Sequence, residues 1–445
     1  MTSTSPDFQK TDALRSWGRI VRAEHFLARP RFSDQLGGLV SQLTPEAPGL
    51  AVGLRRSYGD SNLNPGGKII DMTGLDRMIA FDRDTGRLRA EAGVSLSQCL
   101  RVLTPAGWFL PTVPGTRYVT LGGAVANDVH GKNHHAAGTF GAGVTAIGLR
   151  RTTGETHTLA PGEPLFHATV GGLGLTGVID WVEVQAVPIP SAWLDAEDIP
   201  FEDVDEYFEI ARDKQSGFEH SAAWIDCLSG GDQLGRGIYS CGGWSAKGDL
   251  KPHRETPRVG VPLDAPGFAL NTASIKAFNA SFNALKKTRA GAFHTHYEPF
   301  LFPLDAIGDW NRLYGEKGFY QYQCVIPAEA ARDGVTDLLQ AIAASGQGSF
   351  LAVLKNFGGA SPVGLLSFPM EGTTLALDFP NKGRKTLDLM ARLDDIVRGV
   401  GGRLYPAKDG RIPADMFRQG FPHWEGFQQY VDPGITSSFW KRVSA

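Results

Sequence analysis

The chain has 445 residues, of which 42% are hydrophobic and 20% charged, and its formal net charge is -3. A chain of this length exceeds the size at which one hydrophobic core keeps growing, so two domains are expected. The near-balance of charges excludes the basic surface that nucleic-acid-binding proteins present, so no nucleic-acid partner is expected.

The N-terminal residues and the cysteines indicate the compartment. Residues 1–19 contain no apolar core of a signal peptide, and no apolar run in the sequence is long enough for a membrane span. The four cysteines, Cys99, Cys227, Cys241 and Cys324, are widely spaced without a C-x-x-C pair, which indicates reduced thiols rather than a zinc site or a disulfide framework. We therefore expect a cytoplasmic protein and leave a peripheral contact with the inner membrane open.

The first 190 residues alternate strand-like runs with glycine-rich turns and brief helical patterns. Residues 67–94 predict strands separated by Asp/Gly turns. The following segment predicts a helix that is capped by Ser95 and ends before Gly107. This pattern is typical of an α+β module.

The pattern changes near residue 190. Residues 187–200 are irregular and proline-rich, and residues 201–217 then predict an amphipathic helix, so a domain boundary near 195 is expected. Strands and helices recur up to about residue 400. They are interrupted by the polar, proline-containing residues 247–268, which predict a mobile loop.

Three glycine-dense stretches carry the chemistry, at residues 55–67, 114–141 and 169–179. Clustered glycines let backbone N–H groups approach an anion, and Ser or Thr hydroxyls add donors, so a diphosphate is the expected ligand. None of the stretches matches the dinucleotide fingerprint or the nucleotide-hydrolysing P-loop. Each stretch alone is more typical of a plain tight turn, and only their combination favours a binding site.

The motifs RSYGD, PGT, GGA, HGKNHH and GGLGLTGVI, in this order, resemble the flavoprotein family of the vanillyl-alcohol oxidase type. The motifs QYQCVIP, LALDFP and GGRLYPAKDGR are similar to the branch of decaprenylphosphoryl-β-D-ribose 2'-oxidases. The resemblance runs from about Trp17 to the C-terminus. It implies an α+β fold of two domains: an FAD-binding domain of two α+β subdomains, residues 7–195 with 403–445, and a substrate domain with an antiparallel sheet, residues 196–402.

The resemblance also implies which residues bind FAD. They come from the three glycine-dense stretches and from the C-terminal motif. In relatives with covalent histidyl-FAD the histidine directly precedes the serine of the first loop, and Arg56 occupies that position here, so FAD is expected to be non-covalent. The expected cofactor residues are Gly53, Arg55, Arg56, Ser57, Tyr58, Gly59, Pro114, Gly115, Thr116, Gly122, Gly123, Ala124, Asn127, His130, Gly131, Asn133, Gly174, Thr176, Gly177, Ile179, Tyr405 and Lys408.

A second set of residues is implied to face the substrate. The expected catalytic residues are Lys408, Tyr58, His130 and Lys132, and the expected substrate-binding residues are Lys132, Trp224, Gln321, Gln323, Lys355 and Ala376. Lys408 can act as a base if burial beside other cations such as Lys132 lowers its pKa. A lysine at the surface or against a phosphate is the alternative. His134 and His135 have no acidic residue or cysteine at metal-ligand spacing, so no metal is expected.

Two positions depart from the family pattern. Arg55 stands where close relatives have a second glycine in the first loop, so the path of that loop is left open. Ala376 stands where mycobacterial members carry the cysteine that covalent inhibitors use. That thiol is therefore not needed for turnover.

The expected activity is FAD-dependent oxidation of the 2'-hydroxyl of polyprenylphosphoryl-β-D-ribose to a 2'-keto intermediate. This step is the first half of epimerisation to the arabinose form, for arabinan of the cell wall. It implies a partner short-chain reductase and either quinone or oxygen as the electron acceptor. The alternatives are an oxidase of a free sugar, alditol or aldonolactone, and a flavoprotein that binds a glycolipid without catalysis. Residues 247–268 and the aromatic residues 293–311 favour an opening with an apolar rim, although the aromatic residues are equally typical of a core.

Overall fold

The computed structural model describes residues 4–267 and 269–445. Phe268, the last residue of the predicted loop, lies outside the described residues. The strands are β1 (Gln9–Thr11), β2 (His25–Ala28), β3 (Gly49–Val52), β4 (Lys68–Asp71), β5 (Met78–Asp82), β6 (Arg87–Glu91), β7 (Trp108–Phe109), β8 (Val144–Arg150), β9 (Thr156–Leu159), β10 (Val178–Gln185), β11 (Val187–Pro188), β12 (Trp193–Phe201), β13 (His220–Ile225), β14 (Gly237–Trp244), β15 (Val259–Gly260), β16 (Gly291–His296), β17 (Ile307–Gly308), β18 (Phe319–Pro327), β19 (Ala352–Phe357), β20 (Gly372–Pro380) and β21 (Arg403–Leu404).

The helices are distributed over both halves of the chain. They are α1 (Ser33–Val40), α2 (Leu96–Leu103), α3 (Leu121–Ala126), α4 (His134–Ala137), α5 (Pro164–Thr169), α6 (Val204–Lys214), α7 (Thr272–Thr288), α8 (Tyr297–Leu301), α9 (Ala331–Ser345), α10 (Arg384–Gly399), α11 (Ala414–Gly420), α12 (Trp424–Gln428) and α13 (Ser438–Ser444). Within residues 4–267 and 269–445, no helix combines the length and the apolar character that crossing a bilayer requires.

Two sheets form the N-terminal half, as an α+β module predicts. The first has the order β1-β2-β4-β3, with β2, β4 and β3 parallel, and the second is antiparallel with the order β5-β6-β10-β8-β9. The predicted helix after residue 94 is α2. Ser95 caps it, because its hydroxyl accepts the Gln98 N–H, and a short 3₁₀ turn then ends at Gly107, whose φ of 80° is left-handed. The helix prediction is confirmed at both ends.

An antiparallel sheet of eight strands dominates the second half, with the order β16-β12-β14-β13-β19-β20-β18-β21. The predicted helix in residues 201–217 is α6, which packs on this sheet together with α9 and α10. Side chains alternate between the two faces of a strand, so residues such as Tyr322, Leu375 and Leu354 are buried on one face. The residues between them point to the opposite face.

The C-terminal residues leave the eight-stranded sheet and return to the N-terminal half. Strand β21 still pairs with β18, but the Gly49 N–H donates to the Gly434 carbonyl at 2.9 Å. Arg442 forms an ion pair of 2.7 Å with Asp60. These contacts support the predicted partition into residues 7–195 with 403–445 and residues 196–402, which remains a prediction.

The segment predicted as a mobile loop contains little regular structure, but it is anchored at several points. His253 Nδ1 lies 2.7 Å from the Tyr297 hydroxyl. Arg117 Nη2 donates to the Arg254 carbonyl at 3.1 Å. Strand β15 pairs in parallel with β17. Mobility of this segment remains a prediction.

Candidate active site

A cavity of about 1120 Å³ lies between the eight-stranded sheet and the glycine-dense stretches. The free face of the sheet forms one wall. Gln323, Ala376, Val353 and Trp224 are register partners on β18, β20, β19 and β13, so they form one row across four strands, and all of them line the cavity. Strand register therefore assembles the predicted substrate wall from segments that are up to 152 residues apart in the chain.

The predicted site residues converge on this cavity. Within the described residues, all of them line it except Gly59, Ala124, Asn133 and Thr176. A Cβ on Gly59 would lie 1.5 Å from the Asp409 carbonyl oxygen, so this glycine allows the C-terminal segment to pack closely. Ala124 is fully buried in the core. Asn133 donates to the Pro111 carbonyl at 2.7 Å, and the Thr176 hydroxyl lies 2.9 Å from the Thr169 hydroxyl, so these four residues support the cavity wall from behind.

The first glycine-dense stretch has the properties of an anion-binding loop. Among the described residues, the backbone N–H groups of residues 54–57 have no hydrogen-bond acceptor, although these residues line the cavity. Arg56 stacks on the Trp17 ring at 4.0 Å, and burial lowers the pKa of its guanidinium. Asn62 is a cavity residue whose buried side-chain oxygen and nitrogen both lack a partner in the described part of the chain. Free donors and an arginine that forms no ion pair within the described residues fit the diphosphate of FAD.

Arg55 adopts the backbone conformation that favours glycine. Its φ is 55°, in the left-handed region. An arginine at this φ costs on the order of 1 kcal/mol relative to glycine. The loop therefore keeps the path that a glycine would allow and adds a cation to the cavity lining.

His130 is held between two side chains of the sheet. Lys355 Nζ lies 2.7 Å from His130 Nδ1, and Gln323 Nε2 lies 3.0 Å from His130 Nε2. Burial and the neighbouring Lys355 ammonium lower the pKa of His130 well below its usual range. Lys355 also donates to the Gly131 carbonyl at 2.6 Å, and burial lowers its own pKa to about 7. The ring is therefore neutral, and it is fixed in orientation.

Lys408 lies against Tyr58, with Nζ 3.9 Å from the centre of the ring. Burial lowers the pKa of Lys408 to about 8, and the charge of Asp378 opposes this shift. The lowered pKa that a base at Lys408 requires thus comes from burial, and Lys132 is not among its causes. The ammonium of Lys132 instead lowers the pKa of Lys355.

Asp378 is a candidate functional residue that sequence reasoning missed. It is fully buried on β20, where it accepts a hydrogen bond of 2.7 Å from Gln321. Burial raises its pKa to about 7, and Lys408 opposes this shift. A signal was present in TTLALDFP, because Asp378 shares the strand face of Ala376 two residues earlier.

Lys132 lies in a different part of the cavity wall, beside Phe300. Its Nζ donates to the Phe300 carbonyl at 2.6 Å. Burial lowers the pKa of Lys132 to about 8, the Asp198 carboxylate raises it, and the Lys286 ammonium lowers it further. Asp198 and Lys286 also line the cavity, and sequence reasoning missed both of them.

The fold and this cavity define a two-domain flavoprotein, in which glycine-rich loops face an antiparallel sheet that carries polar side chains. A family model described as an FAD binding domain matches residues 26–160. The chain is 37% identical over 445 residues to a decaprenylphosphoryl-β-D-ribose oxidase of Mycolicibacterium smegmatis, covering 96% of each protein. The chain therefore belongs to the decaprenylphosphoryl-β-D-ribose oxidase family of FAD-dependent oxidoreductases.

Two further relatives match over shorter regions. An L-gulono-1,4-lactone dehydrogenase of Mycobacterium tuberculosis is 29% identical over 173 residues, which are 39% of this chain and 40% of the relative. An alditol oxidase of a Streptomyces species is 25% identical over 178 residues, which are 40% and 42% of the two chains. The family model supports FAD as the cofactor, and similarity of this extent leaves the substrate to be argued from the site.

We expect acid precipitation of the protein to leave all of the yellow colour in the supernatant, because the described lining offers no free histidine or cysteine for covalent attachment. Within the described residues, His130 is the only histidine in the lining, and cysteine is absent from it. Both ring nitrogens of His130 are engaged. Absorbance at the flavin maximum in the supernatant and the redissolved pellet measures the partition. A coloured pellet would contradict non-covalent binding.

Proposed function

We propose that this protein oxidises the 2'-hydroxyl of polyprenylphosphoryl-β-D-ribose to the 2'-keto product, the first half of epimerisation to the arabinose form. The observation that carries the proposal is the convergence of Lys408, Gln323, Lys355 and His130 on one cavity, in a chain that shares 37% identity with the M. smegmatis oxidase. In this role, Lys408 accepts the proton of the reacting hydroxyl.

The environment of Lys408 supports its role as the base. A pKa of about 8 makes the neutral amine accessible near physiological pH, which a general base requires. Within the described residues, Nζ of Lys408 donates no hydrogen bond to another side chain or carbonyl, so it remains available to a substrate hydroxyl. FAD, when bound, would accept the hydride that leaves C2' while the hydroxyl proton passes to Lys408, so that the hydroxyl becomes a ketone.

The sheet side chains support the orientation of the sugar. Gln321 and Gln323 present amide groups that both donate and accept hydrogen bonds, and Lys355 adds a cation. The neutral His130 ring is held between Lys355 and Gln323. Such a fixed polar wall suits the several hydroxyls of a ribose.

The fate of the product implies partners. A ketone at C2' must be reduced from the opposite face to give the arabinose configuration, so we assign that step to a separate short-chain reductase. The reduced flavin must pass its electrons to quinone or oxygen. Membrane contact fits the substrate, since Val259, Leu263 and Ile307 are exposed apolar residues with 64%, 78% and 39% exposure, and Ile307 lines the cavity.

The two alternatives are distinguished by particular residues. An oxidase of a free sugar or lactone has no need for the apolar side chains Phe278, Phe282 and Leu313 in the lining. A flavoprotein without catalysis has no need for a lysine of lowered pKa beside an acidic residue, as Lys408 is beside Asp378. Both features favour oxidation of a lipid-linked sugar.

Anaerobic mixing of the FAD-loaded protein with farnesylphosphoryl-β-D-ribose, ribose, an alditol and an aldonolactone tests the proposal. We expect the flavin absorbance to bleach with the lipid-linked ribose only. Bleaching by a free sugar, alditol or lactone at comparable concentration would assign the protein to the alternative oxidases. Absence of bleaching with all four compounds would favour the non-catalytic role.

A further inference from the structure

Helix α7 (Thr272–Thr288) presents one face to the protein core and an adjacent face to the cavity. Its buried face repeats every four residues from Ile275 to Asn283. The adjacent face carries Phe278, Phe282 and Lys286, which line the cavity. Residues four apart lie above one another on a helix, so these three side chains form a row about 12 Å long.

At one end of the row, Lys286 forms an ion pair with Asp198, and a second lysine lies in the same part of the cavity lining. Lys286 Nζ lies 2.7 Å from Asp198 Oδ2, and the Ser240 hydroxyl donates to Asp198 Oδ1 at 2.5 Å. Lys132 also lines this cavity, where Asp198 and Lys286 both act on its pKa. This part of the lining therefore carries two lysines and one carboxylate, an excess of positive charge that suits an anion.

The rest of the row is aromatic and leads to solvent. The Phe282 ring lies 4.7 Å from Trp224 and 5.8 Å from Phe278, on which it stacks. Phe278 also contacts the Phe350 ring at 5.6 Å. Phe278 is 46% exposed, which is unusual for a phenylalanine with two aromatic neighbours in one wall. An apolar chain lying along these rings would cover that exposed surface.

We propose that this row is a subsite for a prenyl phosphate, in which Lys286 and Lys132 bind the phosphate and Phe282 and Phe278 bind the first isoprene units. The inference rests on the proposed function and assigns the part of the substrate that does not react. The phosphate of the proposed substrate is a diester with a single negative charge, which matches the excess positive charge that the two lysines keep beside Asp198. The alkyl chain that follows the phosphate can lie against the aromatic wall, and removing both apolar surfaces from water favours binding.

Calorimetric titration of the FAD-loaded protein with farnesyl phosphate and with farnesol tests the subsite without any turnover. We expect farnesyl phosphate to bind more tightly than farnesol. Lys286→Met should weaken farnesyl phosphate by on the order of tenfold, as expected for one hydrogen bond between charged groups, and leave farnesol unchanged. Phe282→Ala should weaken both ligands, because it removes apolar contact.

Two neighbouring residues of α7 provide matched controls. Lys287 pairs with Glu202 at 2.6 Å outside the cavity, and Leu285 is 48% exposed on the same helix. Lys287→Met and Leu285→Ala should leave both affinities unchanged. Retained FAD content and helical circular dichroism show that each variant is folded.

Asp198→Asn separates a binding role from a structural one. It removes the carboxylate that competes with the ligand for Lys286, so farnesyl phosphate should bind as tightly as before or more tightly. Weaker binding in both Asp198→Asn and Lys286→Met would mean that the ion pair only holds α7 in place, and it would overturn the subsite. Equal losses in Lys286→Met and Lys287→Met, or no binding of farnesyl phosphate at all, would also overturn it. These titrations measure binding and need no oxidation. They can therefore be interpreted even if the protein does not oxidise the lipid-linked ribose.

Discussion

Lys408→Ala is expected to retain FAD and to reduce it with substrate about 10²–10⁴ times more slowly, which is the usual contribution of a positioned acid or base. FAD should be retained, since the free N–H groups of residues 54–57 and the Arg56 guanidinium belong to a different loop. Anaerobic stopped-flow measurement of the flavin reduction rate at saturating substrate gives the effect. A variant that reduces FAD as fast as the parent would end the assignment of Lys408 as the base.

Lys408→Arg is the companion variant. Arginine keeps the positive charge and can still lie over the Tyr58 ring, but its guanidinium does not lose a proton in this pH range. If Lys408 accepts the proton, arginine should not restore the reduction rate. If Lys408 only pairs with an anionic group of the substrate, arginine should largely restore the rate, and the alanine variant should show mainly weaker substrate binding.

Local sequence signals were sufficient for the elements and loops that depend on neighbouring residues. Ser95 and Gly107 marked the ends of α2 because a hydroxyl N-cap and a left-handed glycine act within one turn. The glycine-dense stretches pointed to the cofactor because glycine allows the left-handed turns and the close backbone approach that an anion-binding loop uses. Arg55 shows the limit of that rule, since it takes the same left-handed φ without being a glycine.

The pairing of strands that are distant in the sequence determines which side chains meet in the site, and this pairing could not be predicted from the sequence. The row of Gln323, Ala376, Val353 and Trp224 exists only because β18, β20, β19 and β13 pair in that order, and local patterns do not specify which strands become neighbours. Lys286 was missed for the same reason. Its partner Asp198 lies 88 residues earlier, on a strand that only the tertiary fold brings against α7.

Asp378→Asn is expected to move the pH dependence of flavin reduction to lower pH. The Asp378 carboxylate raises the pKa of Lys408, which burial otherwise lowers, to give about 8. Asparagine has the same shape without the charge, so the pKa of Lys408 should fall by roughly one unit, the smaller end of the effect of a close opposite charge. If neutral Lys408 is the base, the reduction rate rises with pH through this pKa, and the midpoint of that rise should move downwards.

Whether the flavin reduction rate rises or falls with pH shows which form of Lys408 is active. A rate that falls as pH rises would mean that Lys408 acts as the ammonium form, and an unmoved midpoint would mean that Asp378 does not act on Lys408.

The stability of the variant gives an independent readout, because the pKa of Asp378 is raised to about 7. A carboxyl group whose pKa is raised by folding destabilises the folded state once it ionises. The parent protein therefore loses stability as the pH rises from about 4, the pKa of Asp in the unfolded chain, through about 7, its pKa in the folded protein. Asparagine does not ionise. The unfolding temperature of Asp378→Asn minus that of the parent should therefore be higher at pH 8 than at pH 4.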